Sequence, residues 1–480
     1  MRCPGSLPTR SFLRHGAAAL GLALGAASLW AAGTISPENT PDPLVPGFQF
    51  PEGAATLSGW ITDMIRGEPL PAAVSAAERL HAHGWGLWTA LTLETGQVYE
   101  GQRLRVFETW LTPEDLTTAS GLRSVADANE IPRRRAPLRS FAQLNAAGAG
   151  SFSAEAVTPR VVGFVKFDPV AADHILRQDL LSRATLDTLL RRGAPQIPAF
   201  PAAALVVKPV FQVIKRSDLI GGRYSALQVW PGPPETPRAL PPAQWPDVVW
   251  LDLLDGGSGG GAVDSLGATD GSTRTDETTY PVSRLIHYRL SAADAAVLDS
   301  DKPGTGAQPG DLAVLVAMHV TTREIARWTW QTFWWTPEPE TPRAPSSSAI
   351  ASLRPQQLRG AARNYAMALA YTMQVPDQPQ VRGNNSGAAV YAYNPWIEAR
   401  FAPADLPDSI PGLDPLGRPA ANNHGVQSNC LSCHAQANYN PDHLDTAPRF
   451  TGARYVDLAD PKFNGTLQVD FLWTIARHAR

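Results

Sequence analysis

Hydrophobic and polar residues follow different spacings in the two parts of the chain, and the first part has the spacing of β-strands. Between about residues 161 and 335, short apolar runs rich in Val, Ile and Trp alternate with turn residues. Strands are predicted at 161–167, 204–214, 224–230, 248–254, 282–290, 312–320 and 325–335. Helices are predicted at 71–91 and, after the capping pair Asp168-Pro169, at 169–192. The pattern therefore predicts a large β-rich domain with packed helices over residues 34–340.

A segment rich in Pro, Glu and Ser follows, and the spacing changes after it. This segment covers residues 336–348, and we place the linker at 341–349. Beyond it, helices are predicted at 356–374, near Cys430 and at 467–478. One face of the first of these helices would carry Leu358, Ala362, Tyr365, Leu369 and Met373. The expected fold class is α+β, in which the β-rich domain precedes a mostly α-helical domain at 350–480.

The candidate chemistry lies in Cys430-Leu431-Ser432-Cys433-His434. Cys-x-x-Cys-His is the attachment signature of c-type haem. The two thiols can form thioether bonds with the haem vinyl groups, and the histidine can supply the proximal nitrogen to iron. A structural zinc site would need four ligands, usually from two such cysteine pairs, but the only other cysteine is Cys3. The motif predicts one covalent haem c, bound by Cys430, Cys433 and His434.

The N-terminus predicts export. Three arginines precede an apolar run over residues 16–33, which ends in Ala31-Ala32-Gly33. This is the layout of a secretory signal peptide. The run is rich in Ala and Gly and is shorter than the ~20 residues of a typical membrane span. Residues 1–33 are therefore predicted to be a cleaved signal peptide, with an uncleaved N-terminal membrane anchor as the alternative. Haem c is attached outside the cytoplasm, so export and the haem motif support each other, and a periplasmic location is expected.

Net charge and cysteine content argue against two properties, nucleic-acid binding and a need for disulfides. The formal net charge is −3, and removal of residues 1–33, which contain three arginines and no acidic residue, makes it −6. This mild acidity argues against a nucleic-acid-binding protein, which favours a basic surface. The mature chain would keep only the two motif cysteines, so an exported protein with both thiols on haem needs no disulfide. The expected partner is a redox protein, and no membrane span is expected after cleavage.

Several segments carry a resemblance to known cytochromes. The stretch 428–434 resembles c-type cytochromes in general. Three further segments are similar to large single-haem cytochromes of proteobacteria: the tryptophan-rich strand 328–335, Lys208-Pro209-Val210, and the ending Asp470-Phe471-Leu472-Trp473. The resemblance implies a periplasmic location, one covalent haem and a cytochrome c-like haem domain at 350–480. It implies no particular reaction.

The sixth iron ligand is not determined by the sequence. Small electron-carrier cytochromes take a methionine from downstream of the motif, but no methionine follows His434. The candidates are His443, in a loop rich in Pro and Asp, and Met373, whose place on an apolar face is also explained by core packing. Further candidates are His424, which lies close upstream of the motif, His478, which lies downstream, and His319, which could reach in from the other domain. A methionine raises the reduction potential, a second histidine gives a lower one, and an open site lets peroxide, oxygen or nitric oxide bind iron.

Two classes of function are consistent with these residues. The first is a one-electron carrier with a six-coordinate haem. The second is a haem enzyme of the peroxidase or oxygenase type, or a gas-binding sensor, with an open iron site. Outside the motif, no serine has the glycine pattern of a nucleophile elbow, and no glycine loop has the form that binds phosphate. The sequence favours electron transfer, because that function needs only the residues of the motif.

Overall fold

A seven-stranded antiparallel sheet is the centre of the protein in the computed structural model. The structure describes residues 34–66, 75–118, 124–130, 133–136, 138, 161–235, 238–260, 263–301, 306–375, 388–390, 392–400, 429–442 and 456–480. The helices are α1 (Ala54–Arg66), α2 (Ala76–Thr92), α3 (Pro113–Thr118), α4 (Pro169–Gln178), α5 (Arg183–Arg191), α6 (Ala292–Asp301), α7 (Ser348–Ser352), α8 (Pro395–Glu398), α9 (Cys430–His434) and α10 (Trp473–His478). The strands are β1 (Glu94–Tyr99), β2 (Gln102–Arg105), β3 (Val161–Gly163), β4 (Lys166–Phe167), β5 (Leu205–Ile214), β6 (Tyr224–Val229), β7 (Asp247–Asp252), β8 (Asp264–Ser265), β9 (Thr279–Pro281), β10 (His287–Arg289), β11 (Leu312–Thr322), β12 (Thr329–Trp335), β13 (Tyr365–Ala370), β14 (Gln374–Val375), β15 (Ala388–Ala389), β16 (Asn438–Tyr439) and β17 (Leu467–Gln468).

The order of the large sheet is β13-β12-β11-β5-β3, and β10 and β4 add to the edges of β11 and β5. The long pair β5 and β11 forms its middle, with Thr322 opposite Leu205 at one end and Leu312 opposite Ile214 at the other. Both strands are buried along nearly their whole length, which explains why each is a continuous apolar run rather than an alternating one. A second sheet contains β6, β7, β8 and β9.

Most of the predicted β-rich pattern is confirmed. The predicted strands at 204–214, 224–230, 248–254 and 312–320 are β5, β6, β7 and β11, with ends shifted by a few residues. The predicted strand at 282–290 is wrong over its first half, because a 3-10 turn covers 282–284 and only 287–289 is extended. The helix predicted at 169–192 is interrupted at Asp179, whose φ of +51° ends α4 before α5 begins. The coarse α+β class is confirmed.

The helix predicted at 356–374 is wrong. Its second half is β13, which pairs antiparallel with β12 and places Met367 opposite Phe333. The large residues Tyr365, Met367 and Leu369 alternate with alanines at 366, 368 and 370, and this period of two is the strand pattern. The spacing of four between Tyr365 and Leu369 fits either period, so it did not distinguish a helix from a strand. The predicted helix at 467–478 is likewise shorter, since only 473–478 is helical.

The predicted division at 341–349 does not separate two domains. β12 lies before this segment and β13 after it, and the two strands are neighbours in one sheet. Residues 33–480 form one compact unit and share a continuous hydrophobic core. The described residues therefore do not show a separate, mostly α-helical cytochrome c-like domain at 350–480. The predicted signal peptide at 1–33 lies outside the described residues, and none of the helices that are described is long and apolar enough to cross a membrane.

The two faces of the large sheet have different coverings. On one face, Trp88 of α2 stacks on Phe333 of β12 with ring centroids 4.3 Å apart and an interplanar angle of 16°. The other face carries Trp330 and Thr332, because alternate residues of a strand point to opposite sides. Helices α8 and α9 pack on this second face, where the ring of His434 contacts Trp330. The haem motif is therefore positioned by the sheet of the β-rich region.

Candidate haem site

Asn429 fixes the motif helix α9 in place. Its Oδ1 accepts a hydrogen bond from the backbone N–H of Ser432 (3.1 Å), which is the usual role of an N-cap residue. Its Nδ2 donates to the carbonyl oxygens of Thr372 (3.0 Å) and Val390 (2.7 Å). The Asn429 side chain is buried, so one amide group starts the helix and attaches it to two other segments of the chain.

Cys430 and Cys433 lie on one turn of α9 as free thiols. Cys430 Sγ donates a weak hydrogen bond to the Ala392 carbonyl (3.3 Å). Burial raises the pKa of the Cys433 thiol to about 12, and it raises the pKa of Cys430 well above its ordinary value. Both cysteines nevertheless keep a partly accessible surface. The site therefore holds two neutral thiols on one helical turn, and both are partly accessible.

His434 is held as a neutral imidazole. A backbone carbonyl can only accept, so the 2.8 Å bond between His434 Nδ1 and the Phe471 oxygen requires the hydrogen on Nδ1. Burial lowers the pKa of His434 to about 3; the bond to Phe471 opposes this effect, and the nearby His319 lowers the pKa further. No described residue forms a hydrogen bond with Nε2. The lone pair of Nε2 is thus available to bind a metal ion.

Trp330 contacts the ring of this histidine. The two ring centroids are 4.1 Å apart and the rings are inclined by 37°. The Trp330 indole N–H donates to the carbonyl of Arg327 (3.2 Å), which fixes the indole in turn. Since the Trp330 side chain is buried, it limits rotation of the imidazole and keeps water from that side of it.

A polar cluster of Lys208, His319 and Glu398 lies next to the motif. Lys208 and His319 are opposite each other in β5 and β11, and they are the only residues of these two strands that are not fully buried. His319 Nδ1 bonds to Thr332 Oγ1 (2.8 Å), and its Nε2 bonds to Glu398 Oε1 (3.0 Å). Burial lowers the pKa of Lys208 to about 7, and the Glu398 charge opposes this shift. The cluster brings a buried acid, a base and an amine together beside the haem motif.

These residues fit the requirements of haem c. The porphyrin supplies most of the ligands to its iron, so the protein needs to provide one or two donors and the two thiols. The described residues contain no group of three or more His, Cys, Asp or Glu side chains arranged to hold a bare metal ion. Cys430 and Cys433 would supply the two thiols, and His434 would supply one donor to iron. The bond from His434 Nδ1 to a carbonyl is the outer contact that metal-binding histidines commonly make.

The candidate sixth ligands differ in their hydrogen bonds and in whether they lie among the described residues. Met373 is buried, and its Sδ accepts a hydrogen bond from the Val456 N–H (3.1 Å), which agrees with core packing and engages the sulfur that would bind iron. His443 and His424 lie outside the described residues. His478 bonds through Nδ1 to the Thr474 carbonyl (3.0 Å) on its own helix. Both ring nitrogens of His319 are already bonded.

Four residues of the site were not identified from the sequence as functional. Asn429, Glu398 and Phe471 act through a side-chain amide, a carboxylate and a backbone oxygen, none of which has a motif. The one sequence signal was at Lys208, a single lysine within an otherwise apolar strand. A charge in a buried run indicates a functional or paired group.

Comparison of the chain with protein-family models, with curated proteins and with solved structures gave no match. The function is therefore argued from the geometry and chemistry of the site.

Proposed function

We propose that this protein is a periplasmic single-haem c-type cytochrome that transfers one electron at a time. Haem is attached through Cys430 and Cys433, and His434 is the proximal ligand. The observation that carries the proposal is the hydrogen bond from His434 Nδ1 to the Phe471 carbonyl, because it leaves Nε2 as the free nitrogen in a Cys-x-x-Cys-His turn. When bound, haem supplies a one-electron couple between ferric and ferrous iron.

The surrounding residues suit electron transfer. Asn429 anchors the motif helix and Trp330 packs against the His434 ring, so the ligand keeps one orientation in both oxidation states. Trp330 also bonds to the carbonyl of Arg327, next to the exposed Ala326. This aromatic side chain therefore lies between the proximal histidine and the surface, where a redox partner protein would dock.

The proposal predicts haem that survives denaturation. The full chain is produced in a bacterial host that matures c-type cytochromes in its periplasm. We expect one haem per chain, haem-dependent peroxidase staining after a denaturing gel, and a mature N-terminus near Thr34 by mass spectrometry, since residues 1–33 have the form of a signal peptide. A chain that folds but loses all haem on denaturation would contradict covalent attachment. An intact Met1 on a soluble cytoplasmic protein would contradict export.

The polar cluster supports a second candidate, a haem enzyme or gas-binding sensor with an open iron site. His319 and Glu398 form a partly buried hydrogen-bonded pair, and such pairs can transfer protons in catalysis. The neighbouring Lys208 adds a third group that can exchange a proton. Peroxide or oxygen chemistry at the haem would use groups that exchange protons in this way.

Carbon monoxide distinguishes the two candidates. For the carrier, we expect the reduced protein to bind little carbon monoxide, because a side chain of the same chain closes the iron. The two candidates for that side chain are tested by His443→Ala, which is expected to open the iron, and by Met373→Leu, which keeps the core volume and is expected to leave the iron closed. Visible spectra with and without carbon monoxide measure the result. Ready binding by the unchanged protein would favour the enzyme or sensor.

A further inference from the structure

The turn that presents the Phe471 carbonyl to His434 has an unusual backbone. Asp470 and Phe471 have φ angles of +44° and +69°, and neither residue is a glycine. A residue with a Cβ is disfavoured in this left-handed region, because its Cβ lies too close to the following carbonyl oxygen. Two such residues in succession persist only where their surroundings hold them.

Asp470 provides the contacts that hold this turn. Its carboxylate is buried, and Oδ2 accepts hydrogen bonds from the Phe200 N–H (2.9 Å) and from Arg323 Nε (3.0 Å). The turn is closed by the Leu472 N–H, which donates to the Val469 carbonyl (3.0 Å). Arg323 is itself fixed by a bond from Nη1 to the Ile325 carbonyl (3.0 Å). An ion pair between distant parts of the chain thus fixes the residue that precedes the carbonyl.

This arrangement connects a buried ion pair to the proximal histidine. Arg323 and Phe200 hold Asp470, Asp470 precedes Phe471, and the Phe471 oxygen accepts from His434 Nδ1 at 2.8 Å. A carbonyl held at this distance keeps the hydrogen on Nδ1 and makes the imidazole a stronger donor to iron. A stronger nitrogen donor stabilises ferric iron more than ferrous iron, and it therefore lowers the reduction potential.

We infer that Arg323 and Asp470 are positioning residues for His434, which set the strength of its hydrogen bond to Phe471 and thereby the reduction potential of the haem. The inference rests on the proposed haem attachment. It assigns a role to Arg323, Asp470 and Phe471. These residues would act on the iron only through His434.

The test uses Asp470→Asn in the full haem-containing protein. The amide removes the charge that pairs with Arg323 while keeping nearly the same size. We expect covalent haem to be retained, the reduction potential to rise, and the Nδ1 proton of His434 to exchange with solvent about tenfold faster in the reduced protein, as a hydrogen bond weakened by about 1.4 kcal/mol would allow. Potentiometry and NMR measure the two effects. Arg323→Lys keeps the positive charge and is expected to remain closer to the unchanged protein than Arg323→Gln.

Asp252→Asn is the matched control. Asp252 is also buried and paired with an arginine, since its carboxylate accepts from Arg223 Nε (2.8 Å) and Nη2 (2.6 Å), but it belongs to the second sheet. This variant is expected to lose stability without changing the potential or the proton exchange.

The inference is wrong if Asp470→Asn holds haem with an unchanged potential and unchanged exchange, or if Asp252→Asn shifts both equally. If the Asp470 variant does not fold, Arg323→Gln decides by the same criteria, because Asp470 then keeps its bond to Phe200. Absence of covalent haem from the unchanged protein would instead overturn the proposed function.

Discussion

The double variant Cys430→Ser, Cys433→Ser is expected to lose covalent haem completely. Each thiol supplies one thioether bond, so the single variants keep one bond and the double variant keeps none. Any haem that remains in the double variant is held by His434 and by packing, and denaturation releases it. Haem staining after a denaturing gel should fall to background, and mass spectrometry should show the mass of the bare polypeptide.

Ser432→Ala is the control for this experiment. Ser432 lies between the two cysteines on the same helix, and it is buried with no hydrogen-bond partner for its Oγ in the described structure. Its backbone N–H, which Asn429 binds, is unaffected by the substitution. This variant should stain like the unchanged protein. Staining that persists in the double cysteine variant would disprove attachment at these residues, and loss in Ser432→Ala would show that staining reports on the helix rather than on the thiols.

The strands were predictable from the sequence where burial is complete or alternation is clear. β5 and β11 are long apolar runs bounded by turn residues, and both were located within a few residues. β13 was predicted as a helix because the spacing of its apolar residues fits a helix as well as a strand. Its pairing with β12 is a contact between distant residues. Pairing of this kind has no local signal, so the spacing alone gave the wrong answer.

The centre of the candidate site was predictable and its surroundings were not. Cys430, Cys433 and His434 form a local motif, so their spacing alone predicts the chemistry. The cluster of Lys208, His319 and Glu398 depends on the register of β5 against β11 and on the packing of α8, which join residues far apart in the chain. The same is true of the bond between His434 and Phe471. Polar residues in buried strands were the only indication of such contacts.

Asn429→Ala is expected to lower the stability of the protein, because Asn429 attaches the motif helix to the rest of the chain. This change removes the cap of α9 and the donors to the Thr372 and Val390 carbonyls, all in a buried place. A lost cap costs about 1 kcal/mol, and a buried polar group deprived of its partner costs about 1–3 kcal/mol. We therefore expect the free energy of unfolding to fall by about 2–4 kcal/mol, measured by denaturant unfolding, together with less haem per chain.

Two further variants separate the roles of the Asn429 side chain. Asn429→Asp keeps an oxygen that can accept from the Ser432 N–H, but it places a carboxylate against two carbonyl oxygens in place of a donor. If the donor contacts matter, this variant is destabilised at least as much as Asn429→Ala. Ser347→Ala removes the cap of α7, where the side chain accepts only from the Ile350 N–H, and should cost about 1 kcal/mol. An Asn429→Asp protein as stable as the unchanged one would show that capping alone holds the helix, and an Asn429→Ala loss no larger than that of Ser347→Ala would contradict the anchoring role.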